Sequence, residues 1–250
     1  NLLLLNDLVK SGMLRWKNLE RATIDFIMER DKIYVNGRFL TQKPTGVQRF
    51  AIDLLLAIKG DFNIEILTPD IPFDSSALGS FTIHKLKGGI GYYWEQITLP
   101  KFVNKKGKKL LNLCNTAPLL GRSNFITIHD LAFYNKDWVG FKFRLIYQFL
   151  IPRIVKRASG IFTVSESVKK ELIKAYALDE SKIGVLYNRV SNELKNANVT
   201  HVEGVEQPYF LTVGSLNPRK NHEWLINFFD KNINEKLVLV GKGGPQFKSI

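Results

Sequence analysis

Residues suited to binding a phosphate are concentrated in the segment Gly214–Asn221 (GSLNPRKN). The apolar run Tyr209–Val213 precedes this segment and a helical pattern follows it, so it connects a predicted strand to a predicted helix. Such loops lie at the carboxyl ends of parallel strands, where backbone N–H groups and the helix dipole favour an anion. Arg219 offers a planar fork for two phosphate oxygens, and Lys220 a compact charge. The alternative is an ordinary loop whose basic side chains face water.

Two other glycine segments follow predicted strands. Gly46, in Thr45–Arg49 (TGVQR), permits positive φ and a close approach of a ligand to the backbone. It belongs to neither a G-x-G-x-x-G fingerprint nor a P-loop, so a plain turn glycine is the alternative. The segment Gly241–Gly244 (GKGG) follows the apolar run Lys236–Val240. It either lies near a nucleotide or merely connects a strand to a helix.

A histidine and an aspartate stand together in Ile128–Leu131 (IHDL), where an apolar strand ends. His129 can donate or accept a hydrogen bond near neutral pH, which suits an active site at the sheet edge, although a structural histidine is the alternative. The sequence contains no H-x-x-x-H spacing or carboxylate cluster that suggests a metal, and no G-x-S-x-G elbow. We therefore expect neither a metal nor a nucleophilic serine.

Composition narrows the class of protein. The 250 residues suffice for one large α/β domain, or for one domain and part of another. One cysteine, Cys114, excludes an intramolecular disulfide framework and a Cys-rich metal site, and its apolar neighbours predict a buried thiol at a strand end in a reducing compartment. No apolar run approaches the ~20 residues that a membrane-spanning helix needs.

The net charge of +13 predicts an anionic partner: nucleic acid, anionic lipid or a nucleoside diphosphate. The lysines at 105, 106, 108 and 109 form either a solvated loop or a membrane-surface patch. Nucleic acid is disfavoured because no helix-turn-helix, OB or RRM signature is present.

The elements that must position these residues alternate between strand and helix patterns. Strands are predicted at Lys32–Asn36, Asn63–Thr68, Leu110–Cys114, Asn124–His129, Gly160–Val164, Lys182–Tyr187, Tyr209–Val213 and Lys236–Val240. Helices are predicted at Val47–Ile58, at Phe141–Ala158 with an interruption at Pro152, at Val168–Tyr176 with Ser165 as N-cap, and at Glu223–Phe229. This alternation predicts βαβ units around a parallel sheet.

The pattern also predicts how the chain is divided. Residues 1–31 read as an amphipathic helical extension, and the polar stretch 191–207 as a linker. A second α/β domain begins near residue 208.

Taken in order, these motifs resemble glycosyltransferase family 4, in the subgroup with mannosyl- and rhamnosyltransferases of bacterial surface polysaccharides. The matching segments are TGVQRFAIDLL at 45–55, ITIHDLAFY at 126–134, GIFTVSESVKKELI at 160–173, VLYNRVS at 185–191, YFLTVGSLNPRKNHEWLI at 209–226 and LVLVGKGG at 237–244. The resemblance covers roughly residues 32–250.

The resemblance implies a GT-B fold, in which two Rossmann-like domains with parallel sheets face each other across a cleft. The acceptor domain would be residues 32–190, and residues 208–250 would begin a nucleotide-sugar-binding domain that is truncated. The implied reaction is retaining transfer of a hexose or deoxyhexose from a nucleotide sugar to a growing, lipid-linked glycan, without metal or other cofactor. It implies a cytoplasmic location, with peripheral contact at the anionic inner face of the membrane.

The resemblance also implies roles for individual residues. Arg219 and Lys220 would stabilise the leaving diphosphate, and His129 would touch the transferred sugar. The remaining donor-binding residues would be Gly46, Gly214, Ser215, Gly241 and Gly243. Ser215 stands where many relatives have arginine, which shifts phosphate binding to Arg219. The paired glutamates of the family would lie beyond Ile250, so the alternative is a catalytically incompetent GT-B fragment that acts as a binding module.

Overall fold

The computed structural model of the chain describes residues 32–60, 62–121, 124–188 and 208–243. The helical extension predicted for residues 1–31, the linker predicted for 191–207 and Gly244 lie outside the described residues. The described chain divides into two compact units. The first holds the residues up to Leu131 and from Phe149 to 188, and the second holds Ala132–Gln148 and 208–243.

The first unit is built on a seven-stranded sheet in which every pair of neighbouring strands is parallel. Its strands are β1 (Ile33–Asn36), β2 (Ile64–Pro69), β3 (Thr82–Leu86), β4 (Lys109–Asn112), β5 (Asn124–Ile128), β6 (Gly160–Thr163) and β7 (Ile183–Val185), in the order β3-β2-β1-β4-β5-β6-β7. All residues of β1, β5, β6 and β7 are buried, as expected for parallel strands covered on both faces. The sheet confirms the predicted α/β class.

Among the described residues, the α-helices of eight or more residues are α1 (Gly46–Ala57), α2 (Leu99–Lys106), α3 (Phe141–Arg157), α4 (Glu166–Tyr176) and α5 (His222–Asn232). Ser165 caps α4 as predicted, because its hydroxyl accepts from the Val168 N–H at 3.2 Å. Thr45 caps α1 through a capping box with Gln48. Gly46 is therefore the first residue of a helix rather than a loop residue.

Two elements, strand β3 and helix α2, were not predicted, and two predictions about elements were wrong. The sequence of β3 (TIHKL) has partly exposed polar residues and no apolar run. Lys105 and Lys106 lie in the last turn of α2, where they complement its dipole, rather than in a loop. Pro152 lies inside α3 without ending it, because buried Ile151 and Ile154 hold the helix on both sides of the proline.

The strand order reverses at β1, whose neighbours are β2 on one side and β4 on the other. Ligands of open α/β sheets bind at such a switch point, beyond the carboxyl ends of the strands. The chain that leaves β1 forms a 3₁₀ turn, Gly37–Thr41, before α1. The chain that leaves β4 forms the segment Leu113–Thr116.

The second unit contains strands β8 (Tyr209–Val213) and β9 (Lys236–Val240), which are parallel partners. A 3₁₀ turn, Pro218–Lys220, separates β8 from α5. The ring of Phe229 on α5 packs edge-on against Phe210 on β8, with centroids 5.2 Å apart. Across the described residues, no helix has the length and apolarity needed to cross a bilayer.

Candidate functional site

His129 lies directly after β5, at the carboxyl edge of the seven-stranded sheet. Its Nε2 is 2.8 Å from the carbonyl oxygen of Leu113, and its backbone N–H donates to Asn115 Oδ1 at 2.7 Å. The Phe50 ring of α1 packs edge-on against the imidazole, with centroids 4.9 Å apart. Burial lowers the pKa of His129, and the opposing effects of the Leu113 carbonyl and Asp130 are smaller. The imidazole is therefore neutral at pH 7.

The segment Leu113–Thr116 holds His129 from the neighbouring strand. Asn115 adopts a left-handed conformation, with φ of 61°, and its N–H donates to the Thr127 carbonyl of β5 at 3.0 Å. Cys114 lies two residues beyond β4, and its thiol approaches the Val47 carbonyl at 3.8 Å. Burial raises the pKa of this thiol, which suits the predicted structural role.

Gly46 lies at the amino-terminal turn of α1, in the same unit as His129. Gly46 does not use the positive φ that glycine permits, because it is not among the residues with positive φ. A Cβ placed on Gly46 would meet no atom within 4 Å. The structure thus leaves open space beside this backbone, although no strained conformation requires glycine here.

Arg219 and Lys220 lie side by side in the 3₁₀ turn before α5, and both are exposed. The side chain of Lys220 folds back along the turn, so that its Cε is 3.6 Å from a Cβ placed on Gly214. Ser215 is also exposed. The turn gathers two cations and a hydroxyl at the carboxyl end of β8.

The backbone of this turn differs from the expected anion cradle of free N–H groups. The N–H of Arg219 donates to Asn217 Oδ1 at 3.0 Å, and that of Lys220 to the Asn217 carbonyl at 2.8 Å. Those of Gly214 and Leu216 donate to the carbonyls of Val240 and Lys242. These four donors are used inside the protein because the turn is tightened by Asn217 and paired with the chain after β9. Anion binding at the turn Pro218–Lys220 itself would therefore depend on side chains.

Gly241 and Gly243 follow β9 and lie against the segment that follows β8, at Gly214 and Leu216. A Cβ on Gly241 would lie 1.7 Å from the Gly214 carbonyl oxygen, so this position requires glycine for close packing of two backbones. Gly243 forms a parallel bridge with Leu216. The glycines of this segment therefore have a structural reason to be present, whether or not a ligand lies nearby.

A second polar group, at the switch point between β1 and β4, was not predicted from the sequence. Glu95 is buried, and its Oε1 accepts hydrogen bonds from Asn36, Arg38 and Thr116. These partners are 21 to 59 residues away in the chain, so no local spacing could have indicated them. Among the described residues, no group of three or more His, Cys, Asp or Glu side chains is placed to hold a metal ion.

Comparisons with known proteins agree on one class. The chain is 38% identical over 142 residues to the O-antigen chain mannosyltransferase RfbU of Salmonella typhimurium, a match covering 56% of this chain and 36% of that protein. It is 24% identical over 220 residues to the N-acetylgalactosamine-N,N'-diacetylbacillosaminyl-diphospho-undecaprenol 4-alpha-N-acetylgalactosaminyltransferase of Campylobacter jejuni, covering 79% of this chain and 60% of that protein. No protein-family model matches.

The fold agrees with the sequence relatives. The structure of the lipopolysaccharide outer core galactosyltransferase WaaB in its apo form superposes with a TM-score of 0.55 at 15% identity, over 87% of this chain and 62% of that one. The matches span between about a third and two thirds of these proteins' lengths. The chain is thus similar in sequence to two bacterial glycosyltransferases, and its fold is similar to that of a third.

Proposed function

We propose that the protein transfers a hexose or deoxyhexose from a nucleotide sugar to a growing, lipid-linked glycan during synthesis of a bacterial surface polysaccharide. The similarity to an O-antigen mannosyltransferase supports this class of reaction and makes mannose the first sugar to test. The structural observation that carries the proposal is the turn Pro218–Lys220, which presents two adjacent exposed cations at the carboxyl end of β8.

Departure of a nucleoside diphosphate builds negative charge on the phosphate oxygens. In the proposed reaction, Arg219 binds two of these oxygens with its planar guanidinium, and Lys220 adds a point charge. Charge placed where it develops in the transition state accelerates the reaction, and here it would replace a divalent cation. The proposal includes retention of configuration at the anomeric carbon and requires no metal or other cofactor.

In the proposed reaction, His129 and Gly46 contact the sugar or leave room for it. The Leu113 carbonyl occupies Nε2–H of His129, so the neutral ring has a bare Nδ1 that accepts a hydrogen bond from a sugar hydroxyl. Gly46 leaves space for a ligand beside the first turn of α1. Both residues lie at the sheet edge where ligands of this class of fold bind.

The composition of helix α3 supports the proposal that the acceptor is associated with a membrane. Its sequence, FKFRLIYQFLIPRIVKR, contains five basic and no acidic residues. Phe141, Leu145 and Phe149 recur at four-residue spacing and are all exposed. Exposed aromatic and aliphatic side chains among basic ones suit an anionic lipid surface, and we propose peripheral contact with a cytoplasmic membrane face through α3.

The proposal is tested by incubating the protein with bacterial membranes and a panel of radiolabelled nucleoside diphosphate sugars, with and without EDTA. We expect incorporation of one hexose or deoxyhexose into lipid-extractable glycan, undiminished by EDTA. Loss of incorporation with EDTA would refute the metal-free mechanism. Saturable binding of a nucleoside diphosphate sugar without incorporation or hydrolysis would instead indicate the binding module.

A further inference from the structure

A buried ion pair lies behind the segment that holds His129. We propose that Arg38 and Glu95 are positioning residues, which fix the segment Leu113–Thr116 and thereby the orientation of the His129 imidazole. The effect on sugar transfer rests on the proposed function, whereas the effect on the histidine itself does not.

Glu95 draws three elements together through a single oxygen. Its Oε1 accepts from Asn36 Nδ2 at 2.8 Å, from Arg38 Nε at 3.1 Å and from the Thr116 hydroxyl at 2.9 Å. The side chain of Glu95 is 1% exposed and that of Arg38 8% exposed. Separating such a pair would leave two uncompensated buried charges, which is energetically costly. The positions of the Arg38 and Glu95 side chains are therefore coupled.

The segment Leu113–Thr116 is attached to this network at both ends. Asn36 Nδ2 also donates to Asn112 Oδ1 at 3.0 Å, just before the segment begins. Arg38 Nη2 donates to the Thr116 hydroxyl at 2.9 Å, where the segment ends. Between these points, Leu113 and Asn115 make the two hydrogen bonds that hold His129. The position of the imidazole therefore depends on side chains that it does not touch.

The backbone conformation around Glu95 directs its side chain into the protein interior. Glu95 lies in a five-residue π-helical turn, Trp94–Thr98, which precedes α2 directly. Such turns are rare and occur frequently at functional sites. Buried Trp94 donates from Nε1 to the Leu86 carbonyl at 3.1 Å, and Gln96 Nε2 donates to the Ala117 carbonyl at 3.0 Å. The turn is thus anchored on β3 and just beyond Thr116.

One oxygen of Glu95 has no hydrogen-bond partner. Glu95 Oε2 is buried and unpaired among the described residues, while Oε1 accepts three hydrogen bonds. A buried acceptor without a partner destabilises the fold. A glutamine would supply the same Oε1 acceptor without a charge. The carboxylate charge pairs with the Arg38 guanidinium, which also lies over the Tyr92 ring, 4.6 Å from its centroid.

The test compares two substitutions of buried threonines by valine. Thr116→Val removes the hydroxyl that joins the ion pair to the segment. Thr127→Val is the matched control, because the Thr127 hydroxyl is buried on β5 without a partner among the described residues. The readout is the ¹⁵N spectrum of the His129 imidazole at pH 7.5, assigned by comparison with His129→Gln. Glu95→Gln provides an independent disturbance of the same network.

We expect the wild type and Thr127→Val to show one neutral tautomer, protonated at Nε2. Thr116→Val and Glu95→Gln should shift these signals or populate the other tautomer. If Glu95→Gln fails to fold, Thr116→Val alone decides. Unchanged His129 signals in folded Thr116→Val would overturn the inference, regardless of any activity.

Kinetics provide a second arm. In a protein that transfers sugar, Thr116→Val should lower kcat by about tenfold to a hundredfold with little change in the KM for the donor. The displaced His129 imidazole would misalign the transferred sugar, whereas the residues that bind the donor phosphates would be unchanged. An equal fall in a Thr127→Val variant would indicate general loss of structure instead and contradict the positioning role. Absence of transfer by the wild type would refute the proposed function but leave the spectroscopic result decisive.

Discussion

His129 Nε2 donates to the backbone carbonyl of Leu113 over 2.8 Å. A carbonyl oxygen only accepts, so the proton of the neutral imidazole is on Nε2 and Nδ1 is the acceptor. The bond crosses from β5 to the chain that leaves β4 and ties together two neighbouring strand ends. It therefore determines both where the ring lies and which nitrogen a ligand can meet.

The buried His129 should make stability depend on pH. Its folded-state pKa lies below the unfolded value of about 6.5, so the unfolded chain binds the proton more readily. The stabilising contribution is complete above pH 6.5 and is lost as pH falls toward the folded-state pKa. Urea unfolding at pH 7.5 and 5.5 should show a smaller pH-dependent loss of free energy for His129→Gln than for the wild type. An identical loss in both would contradict the pKa direction.

Gly46→Ala should separate folding from ligand binding. A Cβ at this position meets no atom within 4 Å, and alanine is the better helix former, so the free energy of unfolding should be unchanged or slightly higher. If a ligand uses the open space, affinity for the nucleoside diphosphate sugar should fall severalfold, as measured by calorimetry. Wild-type affinity in the alanine variant would remove Gly46 from the donor site.

The exposed stripe of α3 should bind anionic lipid. Phe149→Glu introduces a negative charge among basic residues and removes an exposed aromatic ring, and it should reduce sedimentation with phosphatidylglycerol vesicles severalfold. Binding to phosphatidylcholine vesicles should be weak, and added salt should weaken binding to the anionic ones.

Leu56→Glu on α1 is the matched control for this experiment, because Leu56 is, like Phe149, a large apolar side chain exposed on a helix. It should leave vesicle binding near the wild-type level. Equal losses in Phe149→Glu and Leu56→Glu would show that overall charge, and not the face of α3, controls lipid binding.

Much of the parallel sheet could be predicted because its buried strands are apolar over their whole length. Ile128 and His129 mark the end of such a strand, so the position of the histidine at the sheet edge followed from sequence. The Ser165 cap was likewise readable from local residue types. These features depend only on neighbours in the chain.

The rest depended on contacts that no local pattern encodes. Strand β3 is an edge strand with polar residues on both faces, so its sequence has neither an apolar run nor an alternating pattern. No local pattern identifies Glu95 as buried, because its partners Asn36 and Arg38 are 59 and 57 residues away in the chain. The sequence of Gly214–Asn221 predicted free N–H groups for an anion. It could not show that Asn217 accepts hydrogen bonds from two of them, the N–H groups of Arg219 and Lys220.

The central claim is that Lys220 stabilises a leaving diphosphate, and a matched pair of lysine variants tests it most directly. Lys220→Ala and Lys231→Ala remove exposed lysines from the turn before α5 and from its last turn. The measurement is initial-rate transfer of radiolabelled sugar to lipid-linked glycan. We expect a loss of kcat of about a hundredfold or more for Lys220→Ala and near-wild-type rates for Lys231→Ala. Near-normal turnover by Lys220→Ala would contradict it.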